Sequence, residues 1–469
     1  MEGIEIRHSD AGLLPEGCTL VMGGGLAGLS AAHALSRARM PALLVEADTV
    51  VGGLSRTVRM GEFLFDLGGH RFFTRNAEVE GIVRRLLEGE LAHVERSSKI
   101  FMRETFFDYP LRPANAILGL GMGTILRAVA DYGFERVRCT LGLRGTPVSL
   151  EDWVVANFGR TLFNLYFKEY SEKVWGIGCD RISESWVAER IRGLSLWEAV
   201  KCAFVRASGR EIPTLADSFL YPEEGIGRLA ERFRDEIAEV NPVRTRTRVV
   251  KLRHDGRRIR SILLDNCNHS YEVEPASCIS TIPLTQVVEA LDPAPPLPVL
   301  DAARALGYRD LVVVALALDR ECVTNLSWVY VPEGKYPFGR LHEPRCWSAK
   351  MAPAGKTLVV VEYFCFVGDD VWNASDEGLS ETSARGLVDL GFIVGHEVIE
   401  TMVVRVPRAY PLFDVGYEKR TAEVLAYLDG FDNLRLAGRS GMFEYQNMDH
   451  AIASGMAAAR TIIGGAPCA

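Results

Sequence analysis

The feature that most constrains this chain is a glycine turn near its N-terminus. Gly23, Gly25 and Gly28 give G-x-G-x-x-G between a short apolar run, Cys18–Met22, and a segment of helical character, Leu29–Arg37. A second apolar run, Ala42–Glu46, follows and ends in an acid 23 positions beyond Gly23. Strand, turn, helix and strand make a βαβ unit, and each glycine has its own reason to be there. The first permits a tight turn, the second lets backbone approach a pyrophosphate, and the third lets the helix pack closely while its N-terminus faces the phosphates. Glu46 is placed to bind ribose hydroxyls. The glycines alone would be an ordinary turn, but strand, helix and acid in register make a dinucleotide half-site.

At 469 residues the chain exceeds one compact core, so several lobes are expected. Hydrophobic residues at 48% and charged residues at 24% are ordinary globular usage. A formal charge of -8 disfavours a nucleic-acid partner, which would need a basic face. The opening residues are acidic and glycine-rich where an export signal would be basic then apolar, and no apolar run approaches the roughly 20 residues of a membrane span. The ten cysteines show no CxxC pairing, which reads as reduced core residues with no metal site. A cytoplasmic protein is expected.

Further along, Pro113 to Ala207 takes on helical periodicity, most clearly over Glu151–Tyr170, where Trp153, Val154, Phe158, Leu162, Leu165 and Tyr166 recur on one face. Thr247–Leu264, Asp310–Leu318, Ser327–Val331 and Lys356–Phe366 are β-branched and aromatic runs, expected to form a largely antiparallel sheet. Asp292–Pro298 reads as a linker. Asn433–Gly438 then Ile452–Ile463 reads as strand then helix returning to the nucleotide domain. The expected architecture is α/β: a Rossmann-type, glutathione-reductase-like FAD domain with an inserted helical bundle and an antiparallel β-sheet substrate domain. Its segments are 1–110 (FAD part), 111–215 (helical substrate or lid domain), 216–290 (return to the FAD domain), 291–405 (antiparallel sheet) and 406–469 (C-terminal FAD segment).

FAD rather than NAD is argued by Val51-Gly52-Gly53-Leu54-Ser55-Arg56, a second glycine turn with an arginine. It resembles the extended fingerprint of glutathione-reductase-like and amine-oxidase-like flavoproteins, in which such a loop and arginine touch the pyrophosphate. Phe65-Asp66-Leu67-Gly68-Gly69-His70 is a further tight bend suited to a flavin face. No second G-x-G-x-x-G follows a strand, so a dedicated NAD(P)H domain is not expected, and an external reductant such as NAD(P)H would act at the flavin itself.

Four longer stretches carry a narrower resemblance: Asp66 to Thr74 (DLGGHRFFT), Phe107-Asp-Tyr-Pro110-Leu, Glu169-Tyr170-Ser-Glu-Lys-Val-Trp175-Gly176, and Gly438 to His450 (GRSGMFEYQNMDH). Through them the chain resembles the UDP-galactopyranose mutases of the amine-oxidase-like and protoporphyrinogen-oxidase-like flavoprotein superfamily. The resemblance implies reduced FAD serving as a nucleophile toward an anomeric carbon, with a nucleotide sugar as substrate. It implies a cofactor site of Gly23, Gly25, Leu26, Ala27, Gly28, Glu46, Gly53, Leu54, Ser55, Arg56, Gly68, Gly69, His70, Val249, Gly438, Arg439, Asn447, Met448 and Asp449. It implies His70 and Arg340 as catalytic groups, with Tyr109, Tyr166, Tyr170, Trp175, Arg192, Tyr221, Arg340, Tyr410 and Tyr445 around the substrate. A homodimer is compatible with it.

One departure matters. Where the mutases carry a second diphosphate-binding arginine, simple register here gives Leu194, and Arg192 two residues earlier is the alternative cation. Loss of such a contact weakens binding by about 1.5–3 kcal/mol. Two functions therefore stand: a nucleotide-sugar mutase, and an FAD oxidoreductase acting on a sugar or secondary metabolite.

Overall fold

The structure is a computed structural model and describes residues 14–102, 104–108, 122–186, 218–267 and 269–465. Tyr109, Arg192 and Leu194 lie outside the described residues. Five strands make the nucleotide sheet, in the order Leu434–Leu436, Ser277–Ser280, Thr19–Met22, Ala42–Val45 and Val243–Arg244, every neighbouring pair parallel. These strands are short and apolar because helices cover both faces of a parallel sheet. The first helix, Leu26–Arg37, begins three residues earlier than the periodicity suggests and is buried on nearly every side.

That burial explains its composition. The helix lies against Gly227–Ala238 and the last helix, Met448–Gly465, and glycine, alanine and serine let the backbones close in. A Cβ at Gly28 would collide with the Gly23 carbonyl, and one at Gly455 would collide with the Ala27 carbonyl. The Ser30 hydroxyl sits in this crossing, 3.0 Å from the Ala27 carbonyl and 2.9 Å from the Ile452 carbonyl.

The second large element is a seven-stranded sheet. Its order is Val398–Pro411, Tyr308–Leu318, Thr357–Cys365, Arg340–His342, Trp328–Tyr330, Ser98–Met102 and Thr105–Asp108. All neighbours are antiparallel except Trp328–Tyr330 with Ser98–Met102. Thr357–Cys365 is buried along its whole length and Tyr308–Leu318 along all but its first residue, hence their apolar stretches Leu358–Val361 and Leu311–Leu318; the polar residues among them, Arg309, Asp310 and Glu362, are buried as well.

Three expectations are corrected. Thr247–Leu264 does form strands, but as the hairpin Arg248–His254 with Ile259–Asp265 in a separate four-stranded sheet. Alternation reveals a half-buried hairpin without saying which sheet it joins. The run Glu151–Tyr170 is not one helix: Leu150–Phe158 stops at Gly159, whose φ of 86° and ψ of 161° leave the helical region, and a turn of π-helix over Phe163–Phe167 leads into Lys168–Trp175. The restart is anchored by the Thr161 amide, which donates to Asp131 at 3.0 Å. Finally, the Asp292–Pro298 linker shrinks: Leu291–Asp292 is a strand, and Pro298 lies in the first turn of helix Leu297–Arg304, where its missing N–H costs nothing. Among the described residues no helix is long and apolar enough to cross a membrane.

The helix crossing yields a test. Gly455→Ala overpacks a backbone contact, a change that costs about 1–3 kcal/mol. We expect a lower thermal midpoint and faster flavin loss on dilution, measured by flavin fluorescence during heating, whereas Gly464→Ala, whose Cβ position meets no described atom beyond its own helix within 4 Å, leaves both unchanged.

Candidate functional site

The glycine turn builds a cradle for a phosphate. Gly25 caps the first helix without a side-chain hydrogen bond, and no acid occupies the first turn, so the amides there face outward uncompensated. Among the described residues, chain neighbours aside, nothing lies within 4 Å of a Cβ placed on Gly25, which leaves open space that any side chain would invade. Glu46 is oriented by the Gly24 amide at 2.6 Å and the Asp48 amide at 2.8 Å, leaving acceptor capacity for hydroxyls. The second glycine turn docks on the first: the Gly52 amide donates to the Gly24 carbonyl at 2.7 Å, and Gly25 bridges Gly52. Gly53, Leu54 and Ser55 form the 3-10 turn that follows, and Arg56 pairs with Asp48 at the rim. The Thr247 amide donates to the Glu46 carbonyl at 2.8 Å and so carries the strand containing Val249 past the acid.

The C-terminal stretch closes the cradle from the other side. A Cβ on Gly438 would stand 2.7 Å from that of Ala27, and the Gly438 amide is held by Ser454 at 3.0 Å. Asn447 precedes, and Met448 and Asp449 open, the last helix, with the Asp449 side chain 12% exposed. Uncapped amides, an open cradle and an oriented acid fit the pyrophosphate and ribose of FAD.

The bend at Gly68–His70 follows a hairpin, Thr57–Met60 with Phe63–Asp66. Its φ of 121° at Gly68 excludes a side chain conformationally. Asp66 anchors the bend from below, accepting from the Thr57 hydroxyl at 2.6 Å, the Tyr221 hydroxyl at 2.7 Å and the Ile226 amide at 3.2 Å. Burial pushes its carboxyl up to about 7, against the pull of those donors. This corrects one expectation: Tyr221 is fully buried with its hydroxyl committed to Asp66, so it supports the bend and cannot line a substrate cleft.

His70 is half-buried, and its Nδ1 is a buried atom with no hydrogen-bond partner among the described residues. Burial lowers its pKa to about 4, helped by the nearby Arg439 and Arg340 and opposed by Glu362, so the imidazole is neutral near pH 7. Arg340 starts a short strand facing Thr357–Cys365, and its guanidinium grips Glu362 through Nε at 2.8 Å and through Nη2. Glu362 is fully buried. Burial opposes its charge, but Arg340 and His342 outweigh that and hold the carboxyl at about 2. His342 stacks on Trp347 at 4.9 Å, its Nδ1 3.6 Å from Glu362.

A second guanidinium completes the cleft. Arg439 donates to the Gln446 carbonyl at 2.8 Å and lies over the rings of Tyr410 at 5.5 Å and Tyr445 at 5.3 Å. Burial lowers its pKa, with Tyr410 opposing, and among the described residues no carboxylate lies within ion-pair distance of it. Phe364 lies between Arg340, at 5.8 Å, and the ring of Tyr410, at 6.4 Å. Tyr170 meets Tyr330 edge-on at 5.6 Å. Tyr166 is half-buried in the π-helical turn. Trp175, 5% exposed, packs between Trp186 at 4.9 Å and Phe413 at 6.0 Å, the surroundings of a core residue, which corrects its expected place around the substrate. The structure thus gathers His70, Arg340, Arg439, Tyr410 and Tyr445, while Glu362 and His342 are the groups that sequence reasoning missed. The only signal for them was a polar residue inside an otherwise apolar strand, as in Val359-Val-Val-Glu362-Tyr.

The family model for flavin containing amine oxidoreductases matches residues 154–463. A model for an NAD(P)-binding Rossmann-like domain matches residues 21–86. Among solved structures, reduced UDP-galactopyranose mutase superposes with a TM-score of 0.83 at 20% identity, covering 97% of this chain and 95% of that one. A protein from Exiguobacterium sp. assigned as a protoporphyrinogen oxidase gives a TM-score of 0.73 at 19% identity, over 97% of this chain and 100% of its own. Cyclohexylamine oxidase from Brevibacterium oxydans gives 0.66 at 14% identity, over 96% and 99%. At these identities the likeness is one of fold.

Two outcomes follow from the electrostatics. Arg340→Met leaves Glu362 as a lone buried charge and should destabilise by about 3–5 kcal/mol; adding Glu362→Gln should recover part of the loss in a denaturant titration, and a purely additive pair would contradict the coupling. For His70 the folded pKa lies below the free value of 6.5, so the unfolded chain takes up a proton first as pH falls from 6.5 toward 4. Stability should decline across that window, and His70→Gln should make the decline shallower.

Proposed function

The chain belongs to the flavin containing amine oxidoreductase family, with FAD as its cofactor, and we propose that it isomerises the sugar of a nucleotide sugar between pyranose and furanose forms. One observation carries this reading: the cleft at the Gly68–His70 bend holds two buried or half-buried guanidiniums flanked by Tyr170, Tyr410 and Tyr445, of which Arg340 is paired to the carboxylate Glu362 and Arg439 has no carboxylate partner among the described residues. A cationic amine would meet net repulsion there, and an apolar substrate would leave Arg439 desolvated without an anion. A nucleoside diphosphate suits Arg340, and it suits Arg439 too if that residue, which the resemblance assigns to the cofactor, serves the substrate instead; charge-assisted hydrogen bonds from them would hold the diphosphate as it departs and returns.

When bound and reduced, the flavin supplies a nucleophile for the anomeric carbon. The remaining work belongs to the protein. The tyrosines bound the sugar and shed water from it. His70, neutral above about pH 4, offers a hydrogen bond at the flavin face without adding positive charge. An external donor such as NAD(P)H would reduce the flavin directly. A homodimer in a reducing cytoplasm is compatible with this reading, and the eight described cysteines are free.

A second reading is favoured by the family's oxidoreductase description and by Leu194 at the position where the mutases carry an arginine. On that reading the oxidised flavin takes hydride from a sugar or secondary metabolite. The two are separated by redox state. Purified protein, yellow with FAD, is reduced with dithionite and given UDP-galactopyranose and related nucleotide sugars, and products are resolved by chromatography. Isomer formed only by reduced enzyme, with no peroxide, supports the mutase. Turnover only by oxidised enzyme, with peroxide formed from oxygen, selects the oxidoreductase.

A further inference from the structure

The helix Lys168–Trp175 does more than present Tyr170. Its Lys173 ammonium enters the loop between strands Trp328–Tyr330 and Arg340–His342 and meets four carbonyl oxygens there. They are Val331 at 2.8 Å, Glu333 at 2.6 Å, Tyr336 at 2.9 Å and Phe338 at 3.3 Å. An ammonium has three donors, so this set fills it and shares one proton between two acceptors. One turn earlier on the same face, Glu169 accepts from the Gly334 amide at 2.6 Å. The helix therefore grips the loop with a cation and an anion at once.

Both ends of this grip are fixed. At the helix C-terminus Arg309 donates to the Val174 carbonyl at 2.8 Å, to the Lys173 carbonyl at 3.1 Å and to the Phe364 carbonyl at 2.8 Å, tying the helix to the strand that carries Glu362. On the loop side, the Val331 amide donates to the Gly339 carbonyl and the Gly339 amide to the Glu362 carbonyl, both at 2.9 Å. A Cβ on Gly339 would stand 3.4 Å from Lys173 Cδ, and the next residue is Arg340.

We propose that Lys173 is a positioning residue: acting as an internal cation for the 331–338 loop, it sets the stem from which Arg340 reaches Glu362 and the cleft. The charges around it are Glu169 from its own helix and Glu333 from the loop, both supporting the ammonium against a burial that lowers its pKa to about 8. Lys335 is exposed and turns to the ring of Tyr336 at 4.9 Å. A methionine of similar length would fill the space of Lys173 and leave the carbonyls without their donor.

The link from Arg340 to an anionic substrate rests on the proposed function, so the test has one arm that does not. Holoprotein of wild type, Lys173→Met and Glu169→Gln is compared by amide hydrogen exchange and by titration with UDP, followed in the flavin absorbance. Lys173→Met should raise exchange over 331–340 by about tenfold or more, leave Tyr308–Leu318 and the nucleotide sheet unchanged, and weaken UDP binding by about tenfold at full flavin content. Glu169→Gln should show a smaller rise centred on Gly334, and it decides the matter if Lys173→Met fails to fold. Unchanged exchange at 331–340 overturns the proposal. Raised exchange with wild-type UDP affinity also overturns it, since the loop would then move without moving Arg340. Wild-type protein indifferent to UDP sinks the nucleotide reading and leaves the exchange arm to decide for Lys173.

Discussion

A side chain at Gly28 would strike the Gly23 carbonyl, and one at Gly455 would strike the Ala27 carbonyl. The first helix is held between these two contacts, close to the strand it leaves on one side and to the last helix on the other. Its position decides where its uncapped N-terminus points, and with it where a phosphate can be met by backbone amides. The second glycine turn and the Gly438 segment both rest on that N-terminal turn. A shift of the helix by the width of one methyl group would separate all three.

The other half of the cleft is organised by charge. Glu362 lies in a strand that is otherwise apolar and buried, where a lone carboxylate would be costly. Arg340 and His342 make it tolerable, and in return Glu362 fixes the plane of the guanidinium. A buried pair of this kind adds little net stability compared with well-packed apolar residues. What the pair supplies in the middle of the sheet is orientation, and the carbonyl-ringed ammonium of Lys173 behind the same loop supplies it in a similar way.

What the sequence revealed follows from how each feature is encoded. The cradle is written within the stretch from Cys18 to Arg56, with turn, helix and acid at fixed spacings, so it could be read without knowing the fold. Three strands of the seven-stranded sheet are visible as apolar runs, within Asp310–Leu318, Ser327–Val331 and Lys356–Phe366, but their partners are not, and nothing in the alternation of Thr247–Leu264 marks it as belonging to another sheet. The break at Gly159 was hidden because apolar spacing continues through it and only the φ of one glycine ends the helix. Glu362, His342 and Asp66 owe their roles to partners up to 160 positions away, as with Asp66 and Ile226. Tyr221 follows the same rule, since an aromatic residue in the sequence gives no sign that its hydroxyl is committed to Asp66.

The order of strands in the nucleotide sheet carries a consequence for how such a chain is made. Thr19–Met22 and Ala42–Val45 leave the ribosome early, yet the strand beside Thr19–Met22 is Ser277–Ser280, and the next is Leu434–Leu436. The helix that covers the first one, Met448–Gly465, comes later still. The segment that looks most complete in the sequence is therefore the last to be finished in space, and its apolar helix must wait through most of translation for its cover. A cradle that needs its last helix is complete only once that helix is made, and until then the first helix keeps an apolar face without its cover.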